Sequence, residues 1–276
     1  PPGHGDIYSC LMNQGLLDQW LEESKEVLFV SNADNLGAKV DSRILNYMVA
    51  KDIPFLMELT PKTPADVKGG TVYQQDGQLK LLEIANVPDE YVGEFQGMEK
   101  FRVFNTNNIW INLRHLKTRL AQGPLDLGVI VNSKKVDGQP VIQLETAIGA
   151  GLENFPGAVG LVVPRTRFAP VKTTSDLLRV QSDIYSEEGG RVTLNGGGAG
   201  RNLPDIRLSD AFQGIEDYQR RFPCIPGLSG LESLEVEGDV AFEGNATLKG
   251  RVVLKGNSDP LVIPDGTLLE NETLES

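Results

Sequence analysis

The chain has 276 residues, of which 40% are hydrophobic and 23% are charged, and its formal net charge is −12. This length is sufficient for a substantial hydrophobic core and for more than one domain. The acidic balance and the lack of a long basic run argue against binding to nucleic acid or to an anionic membrane. We find no apolar run of membrane-spanning length and expect no membrane association.

The two cysteines, Cys10 and Cys224, lie far apart and have neither a CxxC partner nor a neighbouring histidine. This pattern favours neither a disulfide framework nor a zinc site. We interpret both as buried thiols in a protein of a reducing compartment. The sequence therefore predicts a cytoplasmic location.

A short apolar run, Val27 to Val30, is followed directly by Ser-Asn-Ala-Asp-Asn. Its composition predicts a buried β-strand that ends in polar side chains, and open α/β sheets bind ligands at the carboxyl ends of their strands. Asp34 can then hold a divalent cation, and Asn32 can exchange hydrogen bonds with a sugar or a base. The alternative interpretation is that residues 32–35 form only a turn and a helix cap.

The spacing of apolar residues predicts an amphipathic helix over residues 11–21, a second helix after Gly37 and a strand over residues 53–59. A strand, a helix and a strand in this order indicate a crossover in a sheet packed by helices. Ahead of them, the residues Pro-Gly-His-Gly-Asp form a turn that lets backbone approach a ligand closely. Because this turn lies at a bare terminus, we expect that an upstream segment is missing.

A β-hairpin is predicted next, with the glycine pair Gly69–Gly70 before its first strand, Asp76–Gly77 as its turn and a returning strand over residues 79–85. The glycine pair has two interpretations, ordinary turn chemistry or a backbone platform for a sugar. Glu83 is out of phase with its apolar neighbours, so it either faces solvent or binds sugar hydroxyls.

Three asparagines, Asn105, Asn107 and Asn108, follow a predicted strand over residues 101–104. They repeat the arrangement of Asn32 at a strand end. Side-chain amides both donate and accept hydrogen bonds, which suits recognition of a polyol.

The cations Arg165, Arg167 and Lys172 lie close together in an otherwise acidic protein and predict a local positive site. Thr173 or Thr174 can cap the helix that follows, which places Lys172 beside a helix N-terminus, a favourable location for phosphate. The alternative is a solvated loop followed by a capped helix.

Glycines recur at every sixth position over residues 238–256, and pairs of apolar residues keep the same step between them. A six-residue period is typical of a parallel β-helix, in which each hexapeptide forms one face of a coil. A boundary is predicted where this pattern begins, with a catalytic-type α/β domain over residues 1–225 and the β-helix over residues 226–276.

These motifs together closely resemble the eukaryotic-type UTP–glucose-1-phosphate uridylyltransferase family, and the resemblance runs through essentially the whole chain. The segments that carry it, besides the closing repeats, are Pro-Pro-Gly-His-Gly-Asp (1–6), Val-Ser-Asn-Ala-Asp-Asn-Leu-Gly (30–37), Val-Lys-Gly-Gly-Thr (67–71), Phe-Asn-Thr-Asn-Asn (104–108) and Pro-Val-Lys-Thr-Thr-Ser-Asp-Leu-Leu (170–178).

The resemblance implies a Rossmann-like mixed sheet of the glycosyltransferase-A type, followed by a left-handed parallel β-helix. It also implies roles for individual residues: uridine and substrate contacts for Gly3 and His4, a sugar-nucleotide contact for Asn32, the magnesium-binding carboxylate for Asp34, the active-site lysine for Lys172, and a glucose pocket lined by Gly70, Glu83, Asn105 and Asn107.

The implied reaction joins glucose-1-phosphate to UTP with the assistance of Mg²⁺ and yields UDP-glucose and pyrophosphate. The family begins with a segment that carries a glycine-rich nucleotide loop, and the glycine-rich run over residues 195–200 matches no phosphate-binding motif. We therefore expect this chain to be a carboxyl-terminal part that is inactive by itself. Two alternatives remain: an enzyme for another UDP-sugar, or a non-catalytic fragment that forms homo-oligomers through its β-helix.

Overall fold

The computed structural model describes residues 2–63, 69–136, 138–189, 192–196 and 203–276. The chain forms two compact units, the first made of residues 1–32 and 38–167 and the second of residues 33–37 and 168–276. The boundary expected between residues 225 and 226 stays a prediction. Within the described residues, no helix has the length and hydropathy needed to cross a membrane.

Seven α-helices lie within the described residues: α1 Ile7–Asn13, α2 Leu16–Glu22, α3 Ser42–Ala50, α4 Val92–Gln96, α5 Leu113–Leu120, α6 Thr174–Gln181 and α7 Ile215–Arg221. The single helix predicted over residues 11–21 is wrong, because Gly15 adopts the left-handed conformation at φ +69° and separates α1 from α2. The prediction that both thiols are buried is also wrong. Helix α1 buries Tyr8 and Leu11, which leaves Cys10 exposed.

The described strands are β1 Val27–Val30, β2 Phe55–Pro61, β3 Thr71–Gln75, β4 Gln78–Leu82, β5 Val103–Asn112, β6 Ile130–Val136, β7 Gln139–Glu145, β8 Val159–Val162, β9 Tyr185–Glu187, β10 Val192–Leu194, β11 Asp205–Leu208, β12 Gly227–Phe242, β13 Ala246–Ile263, β14 Thr267–Glu270 and β15 Thr273–Glu275. In the first unit, four of them form a mixed sheet in the order β1-β5-β2-β8. Strand β5 is antiparallel to β1 and β2, whereas β2 and β8 are parallel. The predicted α/β class with a Rossmann-like mixed sheet is confirmed, although β1 is an edge strand and only half-buried.

Strand β5 continues through the asparagines instead of ending before them, so the predicted strand end at residue 104 is wrong. Its pairing with β2 shifts between Met57, which faces Ile109, and Leu59, which faces Asn105. The single residue between them in β2 therefore opposes three residues of β5, which is a β-bulge. Asn107 lies in this bulge at φ +57°.

The predicted hairpin is confirmed as β3 and β4, which pair antiparallel. Its two-residue loop, Asp76 and Gly77, has φ values of +52° and +78°. Positive φ at both positions matches the turn that fits the twist of a hairpin. Residues 67–68, which belong to the motif before the first strand, lie outside the described residues.

A parallel sheet with the order β11-β12-β13-β14, with β15 also paired to β13, closes the second unit. Leu234 pairs with Val252, 18 positions later, which equals three six-residue repeats. The apolar pairs of the six-residue repeat belong to the core, since each residue is at most 5% exposed: Leu234, Val236, Val240, Phe242, Ala246, Leu248, Val252 and Leu254. Of the glycine-rich run, residues 197–200 lie outside the described residues, and Asn195 and Gly196 form a turn.

Candidate functional site

The opening residues of the chain are held against Thr146. Its backbone N–H donates to the carbonyl of Pro2 and its carbonyl accepts from the N–H of Gly5, both at 2.9 Å. Gly3 between them has φ +86°, and a Cβ at this position would lie 2.4 Å from the Thr146 carbonyl oxygen. Only glycine fits this close approach.

This pairing fixes the imidazole of His4. Its Nδ1 accepts a hydrogen bond of 2.8 Å from the backbone N–H of Ile148. A backbone N–H can only donate, so Nδ1 carries no proton and Nε2 carries it in the neutral ring. Partial burial lowers the pKa of His4, although the charge of Glu145 acts in the opposite direction. His4 therefore offers a neutral Nε2–H donor.

A cavity of about 440 Å³ lies beside this imidazole. Four predicted site residues line it, namely Gly3, His4, Asn32 and Asn107. Its volume is in the range of cavities that hold small molecules. The first unit thus brings residues from the chain start, the end of β1 and the bulge of β5 to one place.

The asparagines form a continuous hydrogen-bond chain. Asn107 Nδ2 donates to Asn32 Oδ1 at 3.4 Å, and Asn105 Nδ2 donates to Asn107 Oδ1 at 3.2 Å. Asn105 also accepts from the Asn107 backbone at 2.8 Å, and its own N–H donates to the Gly70 carbonyl at 2.8 Å. These bonds fix the amide orientations, which a flexible loop could not do.

Glu83 packs against Gly70 but belongs to a different cavity. A Cβ on Gly70 would lie 2.6 Å from the Glu83 carboxyl group, so the glycine is required for this contact. Burial raises the pKa of Glu83. This side chain lines a cavity of about 330 Å³ next to Lys80 and Glu153, not the one beside His4. The structure therefore brings Glu83 to Gly70 but does not place it with His4.

In the second unit, Asp34 and Lys172 lie on adjacent backbone segments. Asn35 forms an antiparallel bridge with Pro170, and the N–H of Val171 donates to the Asp34 carbonyl at 2.9 Å. Residues 32–35 do not cap a helix, since the side chain of Asp41 caps α3. Pairing of two distant segments thus places the carboxylate and the lysine in one unit.

Lys172 directly precedes the N-terminus of α6. Thr173 and Asp176 form a capping box, which confirms one of the two predicted caps. The N–H of Lys172 donates to Asp176 Oδ2 at 3.1 Å, while the residue itself is exposed. Its backbone is therefore fixed and its ammonium group can reach a ligand.

The prediction of a positive site made of three cations is wrong for Arg167. Its guanidinium group is buried in the first unit and donates to both carboxylate oxygens of Glu58, at 2.7 and 2.5 Å. This pair neutralises the charge of Arg167. A sequence signal existed, because Glu58 is a lone carboxylate within the buried apolar run of β2.

Comparison with known proteins identifies the family of the chain. The model of the UTP–glucose-1-phosphate uridylyltransferase family matches residues 1–249. The chain belongs to this family. Curated relatives include the UTP–glucose-1-phosphate uridylyltransferases of Astragalus penduliflorus and Solanum tuberosum, each 48% identical over 99% of this chain. The chain spans 58% of the length of these relatives.

Solved structures show the same fold across the entire chain. A mutant UDP-glucose pyrophosphorylase from Leishmania major, in complex with UDP-glucose, is 38% identical with a TM-score of 0.88. The UDP-glucose phosphorylase from Trypanosoma brucei is 39% identical with a TM-score of 0.86. This chain covers 62% of each of those chains. The resemblance that the motifs indicated is confirmed.

The uridylyltransferase motifs thus map onto two groups of residues. The first unit holds Gly3, His4, Asn32, Gly70, Glu83, Asn105 and Asn107, and the second holds Asp34 and Lys172. Thr146 and Ile148, which fix the chain start, were not identified from the sequence. Their shortest bonds to the chain start use backbone groups, so no side-chain pattern marks them.

Replacement of Gly3 by alanine tests the close approach to Thr146. We expect Gly3→Ala to lower the free energy of unfolding by about 3 kcal/mol, since it combines left-handed strain with a backbone collision. Gly77→Ala is the matched control, because Gly77 has φ +78° with nothing within 4 Å of a Cβ, and should cost about 1 kcal/mol. Urea unfolding measures both, and equal losses would contradict the collision.

Proposed function

We propose that this chain supplies the sugar-binding and phosphate-binding residues of a UTP–glucose-1-phosphate uridylyltransferase. The products are UDP-glucose and pyrophosphate. The observation that carries the proposal is the cavity where His4, Asn32 and Asn107 meet, because these are the residues that the family motifs assign to the sugar nucleotide.

In the first unit, the neutral Nε2–H of His4 donates to the ligand, and the amides of Asn32 and Asn107 donate and accept. This combination matches hydroxyl groups, which also do both. Asn105 is 6% exposed and acts by orienting Asn107. Gly70 and Glu83 line the glucose pocket only if the ligand reaches the neighbouring cavity.

In the second unit, Lys172 acts on the phosphates. An oxygen of glucose-1-phosphate attacks the α-phosphorus of UTP, a new P–O bond forms, and the bond from that phosphorus to the bridging oxygen of pyrophosphate breaks. The ammonium group of Lys172 stabilises the negative charge on the transferring group. Positioning supplies the rest of the acceleration, and the protein forms no covalent intermediate.

Asp34 is the proposed protein ligand of Mg²⁺. Among the described residues, no three His, Cys, Asp or Glu side chains cluster as an all-protein metal site. A single half-buried carboxylate nevertheless fits this ion, since Mg²⁺ is commonly held by one or two carboxylates, several waters and substrate phosphates. When bound, Mg²⁺ neutralises phosphate charge and orients the phosphate chain.

We further propose that the first unit is of the glycosyltransferase-A type and that the parallel sheet of the second unit is a left-handed β-helix. Paired residues in adjacent strands lie three six-residue repeats apart, as in Leu234 and Val252, and this spacing supports a coil with three faces. The cytoplasmic location stays a prediction.

Strand β14 is the last in its sheet, and its outer edge pairs with no strand of the described residues. Such edges can pair with another chain, so we propose that the uridylyltransferase self-associates there. Deleting the repeats would also remove Leu228, a buried core residue of the second unit, and would therefore disturb the fold. A point variant on β14 avoids this effect. Leu268 is 54% exposed on β14, whereas Val129 is 61% exposed in the first unit.

We expect Leu268→Asp to yield a smaller species in sedimentation velocity and Val129→Asp to leave the species unchanged. The two variants should differ because only Leu268→Asp would bury an aspartate charge in the proposed contact between two β14 edges. If Leu268→Asp sediments like the parent protein, the edge does not mediate association.

The activity is tested in the complete reading frame that contains this chain. Pyrophosphate release is measured from UTP with glucose-1-phosphate and with a panel of other sugar-1-phosphates. The proposal predicts the highest kcat/KM for glucose-1-phosphate. Preference for another sugar would favour the related pyrophosphorylase, and no release with any sugar would favour the non-catalytic alternative.

A further inference from the structure

The buried carboxylate Glu58 lies directly opposite the bulge that carries the asparagines. It is fully buried in the middle of β2. The register places it between the pairs Met57–Ile109 and Leu59–Asn105, so it alone faces residues 106–108. Nothing in the proposed chemistry uses this residue directly.

The two residues that flank Asn107 in the bulge, Thr106 and Asn108, both form hydrogen bonds with Glu58. The hydroxyl of Thr106 donates to the Glu58 carbonyl at 2.8 Å, and Asn108 Nδ2 donates to Glu58 Oε2 at 3.1 Å. The N–H of Asn108 also donates to the hydroxyl of Thr106 at 3.2 Å. Asn107 lies between these two anchored residues.

Arg167 completes the arrangement. Its bidentate ion pair supplies the positive charge that a buried carboxylate requires. Its carbonyl accepts a second hydrogen bond from Asn108 Nδ2, at 3.3 Å. Trp110 Nε1 donates to Glu58 Oε1 at 2.8 Å from the regular part of β5. The carboxylate is thereby fixed from three directions.

We propose that Glu58 and Arg167 are positioning residues that hold the β5 bulge and so present Asn107 to the hexose of the sugar nucleotide. A non-glycine residue at φ +57° is strained, and such a conformation persists only where its surroundings enforce it. Thr106 and Asn108 provide that enforcement through Glu58. This inference rests on the proposed function, because it concerns how that site binds its sugar.

Replacing Glu58 itself would leave Arg167 buried without its carboxylate and could unfold the protein. The test therefore removes the bonds from the bulge side, with Thr106→Val and Asn108→Leu, which keep the approximate shape. Tyr218→Phe is the matched control, since its hydroxyl donates a partly buried hydrogen bond of 2.7 Å to Gln181 in the second unit. Asn107→Ala tests the sugar contact directly.

Steady-state kinetics of the complete reading frame and thermal unfolding are measured for all four variants. We expect Thr106→Val and Asn108→Leu to raise the KM for glucose-1-phosphate about tenfold, the effect of one lost hydrogen bond or slightly more. The KM for UTP should change less than about twofold. Thr106→Val, Asn108→Leu and Tyr218→Phe should all lower the melting temperature by similar amounts. Tyr218→Phe should do so without changing either KM.

Three results would overturn the inference. If Asn107→Ala raises the KM for glucose-1-phosphate but the two bulge variants do not, the sugar site stands and the positioning role is wrong. The role is equally wrong if the KM follows melting temperature in every variant, Tyr218→Phe included. If Asn107→Ala leaves the KM unchanged, the sugar assignment itself fails, and the positioning role fails with it.

Discussion

Asp34→Asn is expected to lower the kcat of the complete reading frame, with the proposed substrates, about 10²–10³-fold. The change removes the negative charge of the proposed magnesium ligand with little change of shape, and a lost electrostatic interaction of this kind has an effect of that size. Asp34 contributes to the described structure through its carbonyl, which accepts from Val171. The substitution keeps that bond, so the thermal unfolding midpoint should stay the same.

The measurement is kcat as a function of Mg²⁺ concentration for the parent protein and the variant. Asp18→Asn is the control, because Asp18 is an exposed carboxylate on α2 that pairs with Lys117 on the surface. This control should keep full turnover. An Asp34→Asn protein with parental kcat and unchanged magnesium dependence would remove Asp34 from the proposed site.

Lys172→Ala is expected to lower kcat about 10²-fold while the KM of either substrate changes less than about threefold. Charge on the transferring phosphoryl group develops in the transition state. Loss of the Lys172 ammonium group therefore affects turnover more than ground-state binding. The described bond of Lys172 uses its backbone N–H, and α6 keeps its capping box in the variant. The fold should therefore tolerate the change.

Lys249→Ala is the matched control for this prediction, since Lys249 is an exposed lysine on β13 of the same unit. Both variants are compared by steady-state and single-turnover kinetics. A change confined to KM in Lys172→Ala would show that the lysine binds substrate in the ground state, and the transition-state role would be wrong.

Regular periodicity was the most reliable guide to the fold. The six-residue repeat identified the buried face of the parallel sheet, because successive side chains of a strand point to opposite faces and the apolar pair of each repeat therefore lies on one face. Similarly, Asp76-Gly77 identified the hairpin, since few residue pairs accept positive φ at both turn positions. In both cases, the residue types within the segment itself indicate the structure.

The bulge in β5 could not be predicted in the same way. A run of four polar residues between apolar segments resembles a strand end, and the sequence contains no local sign that Thr106 and Asn108 bond to Glu58 from another strand. The prediction that Arg167 belongs to a positive site was wrong for the same reason. Its buried partner, Glu58, lies 109 positions earlier in the chain, so the sequence did not indicate that the charge of Arg167 is already neutralised.

The site residues themselves were predicted from motifs, but their grouping was not. His4 and Asn32 come from segments that are separate in sequence, and backbone bonds of Thr146 and Ile148 help to bring the chain start into place. The separation of Glu83 from the cavity beside His4 is a second example. Such arrangements depend on tertiary contacts that residue types do not encode.

The most direct test of the central claim is a crystal structure of the complete reading frame with UDP-glucose bound. We predict that hydroxyl groups of the hexose lie within about 3 Å of His4 Nε2 and of the amide groups of Asn32 and Asn107. A hexose that occupies another part of the molecule, with these three side chains making no contact to it, would contradict the account.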